Sequence, residues 1–224
     1  MSRLVVFDLD DTLYLERDFV RSGFRAVADH VRRTLRVRGL FAVAWRRFEA
    51  GERGTVFDRA LAERGIAPSK RLVQEMVRVY RTHDPRVRLC PDARRFLRRP
   101  PAATTLAIIS DGPLAAQRAK VRALGLGPLV SAIVLTGRWG PRFAKPHPRA
   151  FEMLERRFRI PGALCSYVGD NPAKDFDTPL ALGWTVVRLR RPEGLHARRP
   201  GPAIPEVRSC EELERCLPSP RSRA

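Results

Sequence analysis

Strand-like and helix-like segments alternate in the sequence from residue 104 to residue 189, and this alternation constrains the fold more than any other feature. Short runs rich in β-branched and apolar residues predict strands, and the longer segments between them predict helices. Strands separated by helices of this length are typical of βαβ units, whose strands pair in parallel. We therefore predict an α/β protein with a doubly wound parallel sheet. Its predicted strands cover residues 4–7, 104–109, 132–135, 163–168 and 185–189.

A helical insertion separates the first predicted strand from the others. Apolar residues recur at helical spacing within residues 18–80, where glycines and one proline divide the stretch into four segments. No convincing strand pattern occurs there. We therefore predict two domains: a core formed by residues 1–14 and 88–224, and an inserted α-helical cap formed by residues 15–87.

The charge of the chain is strongly positive, with 43 Lys and Arg against 24 Asp and Glu and a formal net charge of +19. Only four of these cations are lysine, and the arginines are scattered along the chain. Nucleic-acid binding favours cations clustered on one face or tail. We therefore do not expect nucleic acid as a partner, although the charge should attract small anionic substrates.

No apolar run is long enough for a membrane span, and none near the N-terminus fits an export signal. We therefore expect no membrane association and a cytoplasmic location. We expect the protein to be a monomer or a homodimer.

Polar motifs stand at or just past the ends of four predicted strands. In an open parallel sheet the carboxyl ends of the strands meet at one edge, where ligands bind, so we expect these side chains to form one site. Each motif alone is common, but structural needs do not readily explain four of them in this order. The motif residues are Asp8, Asp10 and Thr12; Ser110, Asp111 and Gly112; Lys145; and Asp170, Asn171 and Asp175.

The residue types in this set fit phosphoryl transfer. Asp8, Asp10 and Asp170 would crowd negative charge that a hard cation with oxygen ligands can hold, and Mg²⁺ meets that requirement. One carboxylate can attack phosphorus and form an aspartyl-phosphate. A second can protonate the leaving oxygen and later activate water. A hydroxyl and a lysine can hold the phosphoryl oxygens.

The four motifs resemble the signature motifs of the haloacid dehalogenase-like (HAD) superfamily. The resemblance covers most of the chain and implies a Rossmann-like core. The helical insertion after the first motif is similar to the cap of the C1-type phosphatases in that superfamily. The segments that carry the resemblance are Asp8-Leu9-Asp10-Asp11-Thr12-Leu13-Tyr14, Ser110, Lys145-Pro146 and Gly169-Asp170-Asn171-Pro172-Ala173-Lys174-Asp175.

The resemblance implies catalytic and metal-binding roles for four residues. Asp8 would be the nucleophile and a Mg²⁺ ligand. Asp10 would be the general acid and base, and its backbone carbonyl would also bind the metal. Lys145 would bridge the phosphoryl group and Asp8, and Asp170 would be the third metal ligand from the protein.

The resemblance also implies supporting roles around the phosphoryl group. Ser110 would bind that group with help from the backbone N–H groups of Asp111 and Gly112, and Thr12 would belong to the phosphate-binding residues and support the geometry of its loop. Asp175 and Asn171 would orient a metal-bound water or Lys145.

These roles favour hydrolysis of a small phosphorylated metabolite, such as a sugar phosphate or a related acid. Haloacid dehalogenases resemble the chain but lack an acid at the position of Asp10, because a halide needs no proton to leave. A phosphomutase or nucleotidase of the same superfamily remains open. The alternative from another class is a non-enzymatic protein that binds polyanions through its basic surface.

Overall fold

The computed structural model describes residues 2–219, which form two compact units. The larger unit comprises residues 2–17 and 87–219, and the smaller unit is Asp18–Arg86. Six strands occur among the described residues, all in the larger unit. They are β1 (Arg3–Phe7), β2 (Thr104–Ser110), β3 (Ala132–Leu135), β4 (Cys165–Gly169), β5 (Thr185–Leu189) and β6 (Glu206–Val207).

The six strands form one sheet in the order β3-β2-β1-β4-β5-β6, and every neighbouring pair is parallel. This confirms the predicted α/β class and its doubly wound parallel sheet. β1 and β4 are buried along their whole length, as expected of central strands covered on both faces. Phe7 at the end of β1 pairs with Ile108 of β2 and Val168 of β4. The residues that follow these three strands therefore leave the sheet at the same edge.

Helices cover the sheet and make up the smaller unit. One of them, the segment 149–158, packs on the sheet through Phe151, whose ring centroid lies 5.1 Å from that of Tyr167 and 5.5 Å from that of Trp184. The helices are α1 (Glu16–Leu35), α2 (Leu40–Glu49), α3 (Val56–Glu63), α4 (Lys70–Thr82), α5 (Pro91–Arg98), α6 (Leu114–Ala123), α7 (Arg149–Phe158) and α8 (Asp177–Ala181).

The smaller unit is entirely helical, and Asp18–Arg86 contains no strand. Aromatic rings form much of its interior. The Phe24 ring contacts Phe48, Phe57 and Tyr80 at centroid distances of 6.0, 5.4 and 5.8 Å. Apolar spacing in the sequence therefore marked the helices that bury these rings.

The structure differs from the sequence prediction in four short segments. The sequence pattern favours a helix over residues 172–182, but the structure has only α8 there, because the Asp175 carboxylate accepts the Asn171 N–H at 2.9 Å and holds the preceding residues in a turn. The spacing of Ser209 and Glu212 favours a last short helix up to about residue 217, and the structure has a 3₁₀ helix there, Cys210–Cys216. The sequence pattern does not reveal α5, which is only eight residues long, or β6, which is only two.

None of the helices within residues 2–219 has both the length and the apolar character needed to cross a membrane.

Candidate active site

Three carboxylates converge at the carboxyl edge of the sheet. Asp8 directly follows β1, Asp170 directly follows the neighbouring β4, and Asp175 lies in the turn after it. One oxygen of each carboxylate lies within 4.8 Å of the others, and all three residues are buried. The turn that carries Asp175 requires glycine at position 169, because a Cβ on that residue would lie 2.6 Å from Oδ2 of Asp175.

Lys145 reaches this cluster from the segment between β3 and α7. Its Nζ lies 2.6 Å from Oδ1 of Asp8 and 2.8 Å from Oδ1 of Asp175, and it donates to the Tyr167 hydroxyl at 2.7 Å. Burial lowers the lysine pKa, but Asp175 and Asp8 outweigh burial and hold that pKa well above its usual value. Lys145 is therefore a permanent cation against the candidate nucleophile.

One lysine does not balance the negative charge of the cluster. Burial raises the pKa of Asp170 to about 9, with Asp8 and Asp175 adding to the effect. Burial raises the pKa of Asp8 to about 6 against the opposing influence of Lys145. A buried group of oxygen donors with excess negative charge suits a hard divalent cation. The donor set therefore fits Mg²⁺, with Asp8 and Asp170 best placed because both oxygens of Asp175 are already engaged, Oδ1 by Lys145 and the Tyr167 hydroxyl and Oδ2 by the Asn171 N–H.

The Asp10 carboxylate belongs to a separate group of contacts. Its Oδ1 accepts hydrogen bonds from the Tyr14 hydroxyl and, at 2.6 Å, from Lys120, while Oδ2 accepts one from Gln117 at 3.0 Å. Burial raises the Asp10 pKa, but the Lys120 charge and the three hydrogen bonds outweigh burial and lower it overall. These contacts hold the Asp10 carboxylate in a group separate from the cluster of Asp8, Asp170 and Asp175.

Two buried hydroxyls beside the carboxylates lack hydrogen-bond partners. Thr12 Oγ1 and Ser110 Oγ belong to residues that are 0% and 1% exposed, and neither oxygen has a partner within residues 2–219. A buried hydroxyl without a partner is costly unless a ligand supplies one. Gly112 follows with φ of 120°, which only glycine readily adopts. Both hydroxyls fit the oxygens of a phosphoryl group.

The remaining predicted site residues hold loops together. The Asp111 carboxylate accepts from Thr136 Oγ1 at 2.7 Å, from the Lys145 backbone N–H at 3.1 Å and from Lys174 at 3.2 Å. Burial raises the Asp111 pKa, but the two lysines outweigh burial and lower it. The Asn171 side chain accepts the Ala173 N–H at 3.0 Å and so shapes its own turn.

Arg191 is a functional candidate that the sequence does not reveal. It lies just after β5 and is 7% exposed. Its Nε and Nη2 donate to the Thr12 carbonyl at 3.0 and 2.8 Å, and its Nη1 donates to both oxygens of Asp92 at 2.9 and 2.8 Å. Arg191 therefore fixes the loop that carries Asp8 and Asp10. Among 39 arginines, no local signal distinguishes it.

A family model of haloacid dehalogenase-like hydrolases matches residues 2–183. The chain belongs to this family. The chain is therefore an enzyme of the hydrolase class, which the non-enzymatic alternative does not fit. No curated protein matches this hydrolase.

Solved structures similar to this hydrolase share its fold. The HAD-hydrolase YfnB from Bacillus subtilis, solved bound to magnesium, is 21% identical with a TM-score of 0.67, covering 96% of this chain and 97% of that chain. A 2-haloacid dehalogenase from Pseudomonas syringae pv. Tomato DC3000 is 22% identical with a TM-score of 0.65, covering 96% and 98%. A protein named as a predicted phosphoglycolate phosphatase, from Haemophilus somnus 129PT, is 19% identical with a TM-score of 0.66, covering 95% and 97%. At these identities the likeness extends to the fold alone.

Proposed function

We propose that this hydrolase is a Mg²⁺-dependent phosphatase acting on a small metabolite, a sugar phosphate or a related acid, through an aspartyl-phosphate on Asp8. The observation that carries the proposal is the second carboxylate, Asp10, two residues after the nucleophile. A phosphate ester releases an alkoxide, which needs a proton, whereas a halide leaves without one. Asp10 therefore has a use in ester hydrolysis and none in dehalogenation.

The contacts of Lys145 support Asp8 as the nucleophile. The ammonium holds Oδ1 at 2.6 Å, whereas Oδ2 accepts no hydrogen bond from the described residues and is free to attack phosphorus. The new bond joins Asp8 to phosphorus as the ester P–O bond breaks. Mg²⁺, bound by Asp8, Asp170 and the Asp10 carbonyl, would supply charge to the phosphoryl oxygens. The unpartnered hydroxyls of Thr12 and Ser110 are suitable donors to the same oxygens.

Asp10 would then serve both halves of the reaction. In the first, its protonated form donates to the leaving alkoxide. In the second, its ionised form takes a proton from the water that attacks the aspartyl-phosphate, which releases phosphate and restores Asp8. Its lowered pKa favours the ionised form, from which the second half starts.

We also propose that residues 15–87 act as a C1-type cap on a core of residues 1–14 and 88–224. The core motifs would contact only the phosphoryl group, so the selectivity for the rest of the substrate would come from another segment. A closing cap would also exclude water from the reacting atoms.

The decisive experiment compares phosphate release with chloride release. We expect p-nitrophenyl phosphate and a panel of sugar phosphates to release phosphate with Mg²⁺, and 2-chloropropionate to release no chloride. Asp8→Asn should abolish turnover while leaving the fold intact, judged by a cooperative melting transition. Asp177→Asn, at an exposed carboxylate outside the site, is the matched control and should leave turnover unchanged.

A trapping experiment locates the covalent step. Acid quenching during turnover should leave a phosphoryl group on Asp8, detectable as a mass increase of its peptide. Chloride release without phosphate release, or attachment at another residue, would contradict the proposal. Transfer of the phosphoryl group to a second sugar instead of water would identify a mutase.

A further inference from the structure

A cavity lies in the larger unit, and none of its lining residues belongs to the four motifs. Its volume is about 760 Å³, within the range of small-molecule sites. The segment 87–91, α5 and the residues that follow α6 surround it. The lining residues are Val87, Arg88, Leu89, Pro91, Arg94, Arg95, Arg98, Ala123, Leu124, Gly125, Pro128 and Leu129.

The charge of this cavity is one-sided, because four arginines line it and no acidic residue does. Arg94 and Arg98 stand one turn apart on α5, where like charges at this spacing repel and destabilise a helix by roughly 0.2–0.5 kcal/mol. Arg95 forms an ion pair with Glu211. The guanidinium groups of Arg88, Arg94 and Arg98 have no hydrogen bond or ion pair within residues 2–219.

Several exposed arginines on other helices are neutralised by neighbouring acids. Arg156 pairs with Glu152 on α7 at 3.5 Å, and Arg32 pairs with Asp29 on α1 at 3.3 Å. The cavity instead concentrates unpaired arginines around an apolar wall.

We propose that this cavity binds a small organic anion that carries at least two phosphate groups, at a site separate from the catalytic carboxylates. Guanidinium forks bind phosphate oxygens in pairs, and three such groups can hold two phosphates. The leucines and prolines of the wall would cover the uncharged part of the ligand. This site does not depend on the proposed phosphatase activity.

The test measures binding of α,β-methylene-ADP, which resists hydrolysis of its diphosphate, by titration calorimetry of the Mg²⁺-loaded protein. Arg94→Gln with Arg98→Gln should weaken binding at least about tenfold, since charge-assisted hydrogen bonds contribute about 1.5–3 kcal/mol each and a tenfold change is 1.4 kcal/mol. The double variant should keep its melting temperature and its turnover of p-nitrophenyl phosphate. Inorganic pyrophosphate should bind more weakly than the nucleotide, because it cannot use the apolar wall.

The matched control removes the same two charges from α7, as Arg156→Gln with Arg157→Gln, and should leave nucleotide binding unchanged. Equal loss in both double variants would show attraction to the net charge of the protein and overturn the proposal. Absence of nucleotide and pyrophosphate binding would also overturn it. The proposal would also be overturned if a DNA oligonucleotide bound through Arg94 and Arg98 while neither small anion bound.

Discussion

Arg191→Met tests whether the loop after β1 depends on a buried guanidinium for its catalytic geometry. Methionine has a similar length and no charge, so it fills most of the space that the arginine leaves. It cannot donate to the Thr12 carbonyl, and it leaves the Asp92 carboxylate without a cation, held only by backbone N–H groups such as that of Cys210, which donates at 2.7 Å. The substitution thus removes a positioning contact and leaves a buried charge unpaired.

The expected loss of stability follows from the burial of this pair. The Arg191 and Asp92 side chains are 8% and 11% exposed. Breaking a buried ion pair by removing one partner costs about 3–5 kcal/mol. The lost hydrogen bonds to Thr12 belong to the same network, so their free energies do not simply add to this figure. We expect a loss of about 4 kcal/mol in the free energy of unfolding, measured with urea.

A second substitution separates stability from positioning. Asp92→Asn removes the unpaired charge but keeps an oxygen for the Cys210 N–H, so the double variant with Arg191→Met should regain about 2 kcal/mol. Its Thr12 carbonyl still lacks the guanidinium. A displacement of about 1 Å in a catalytic group can reduce the rate about 100-fold, so kcat should remain low in both variants.

The assay measures kcat and KM for p-nitrophenyl phosphate well below the melting temperature of each variant. Arg190→Met is the matched control, because Arg190 donates to the Ala197 carbonyl at 2.5 Å and to Glu206 at 3.0 Å and does not contact the catalytic loop. Its kcat should be unchanged. A double variant that regains both stability and wild-type kcat would refute the positioning role and leave Arg191 a purely structural residue.

Three further predictions concern the charges of the larger unit. Lys145→Met should lower kcat about 1000-fold, in the range found for removing one donor to a developing anion, and steady-state kinetics with restored Mg²⁺ checks this. EDTA should abolish turnover, and added Mg²⁺ should restore it. The affinity for Mg²⁺ should rise from pH 6 to pH 9, because Asp8 and Asp170, whose pKa values are raised, lose their protons over this range. An affinity that does not depend on pH would contradict this prediction. The Asp92 pKa is lowered from 3.8, because the Cys210 N–H and Arg191 outweigh the effect of burial. The stability that ionised Asp92 contributes is therefore complete above pH 3.8 and is lost as the pH falls through the lower pKa of the folded state. Urea unfolding should show that the difference in the free energy of unfolding between wild type and Asp92→Asn is constant from pH 5 to 8 and becomes smaller below about pH 4.

The sequence predicts the sheet and the convergence of its motifs because both depend on local patterns. Apolar runs mark the strands, and a residue that directly follows a buried strand must emerge at its carboxyl end. Asp8 and Asp170 come close in space for this reason alone, since their strands are neighbours in register.

The contacts between distant segments are not visible in the sequence. The sequence pattern indicates only that Tyr167 is a strand residue, but its hydroxyl accepts a hydrogen bond from Lys145. The sequence pattern indicates only that Lys120 is a cation on a helix, but its Nζ lies 2.6 Å from Oδ1 of Asp10, a residue 110 positions earlier in the chain. Such partners depend on how α6 packs beside the loop after β1, and no periodicity encodes that geometry.

The same register that brings the carboxylates together also makes the site costly for the fold. β1 and β4 place Asp8 and Asp170 at adjacent strand ends, and the missing side chain of Gly169 lets Asp175 fold back onto them. Lys145 offsets part of this charge, and the raised pKa values of Asp8 and Asp170 express the part that remains. A buried carboxylate in such surroundings gives up its charge or binds a cation. Because the backbone of three elements fixes the crowding, side-chain movement cannot relieve it, and a divalent cation relieves it without disturbing the sheet. The crowding that costs the fold stability is therefore what would give the proposed site its affinity for a divalent cation.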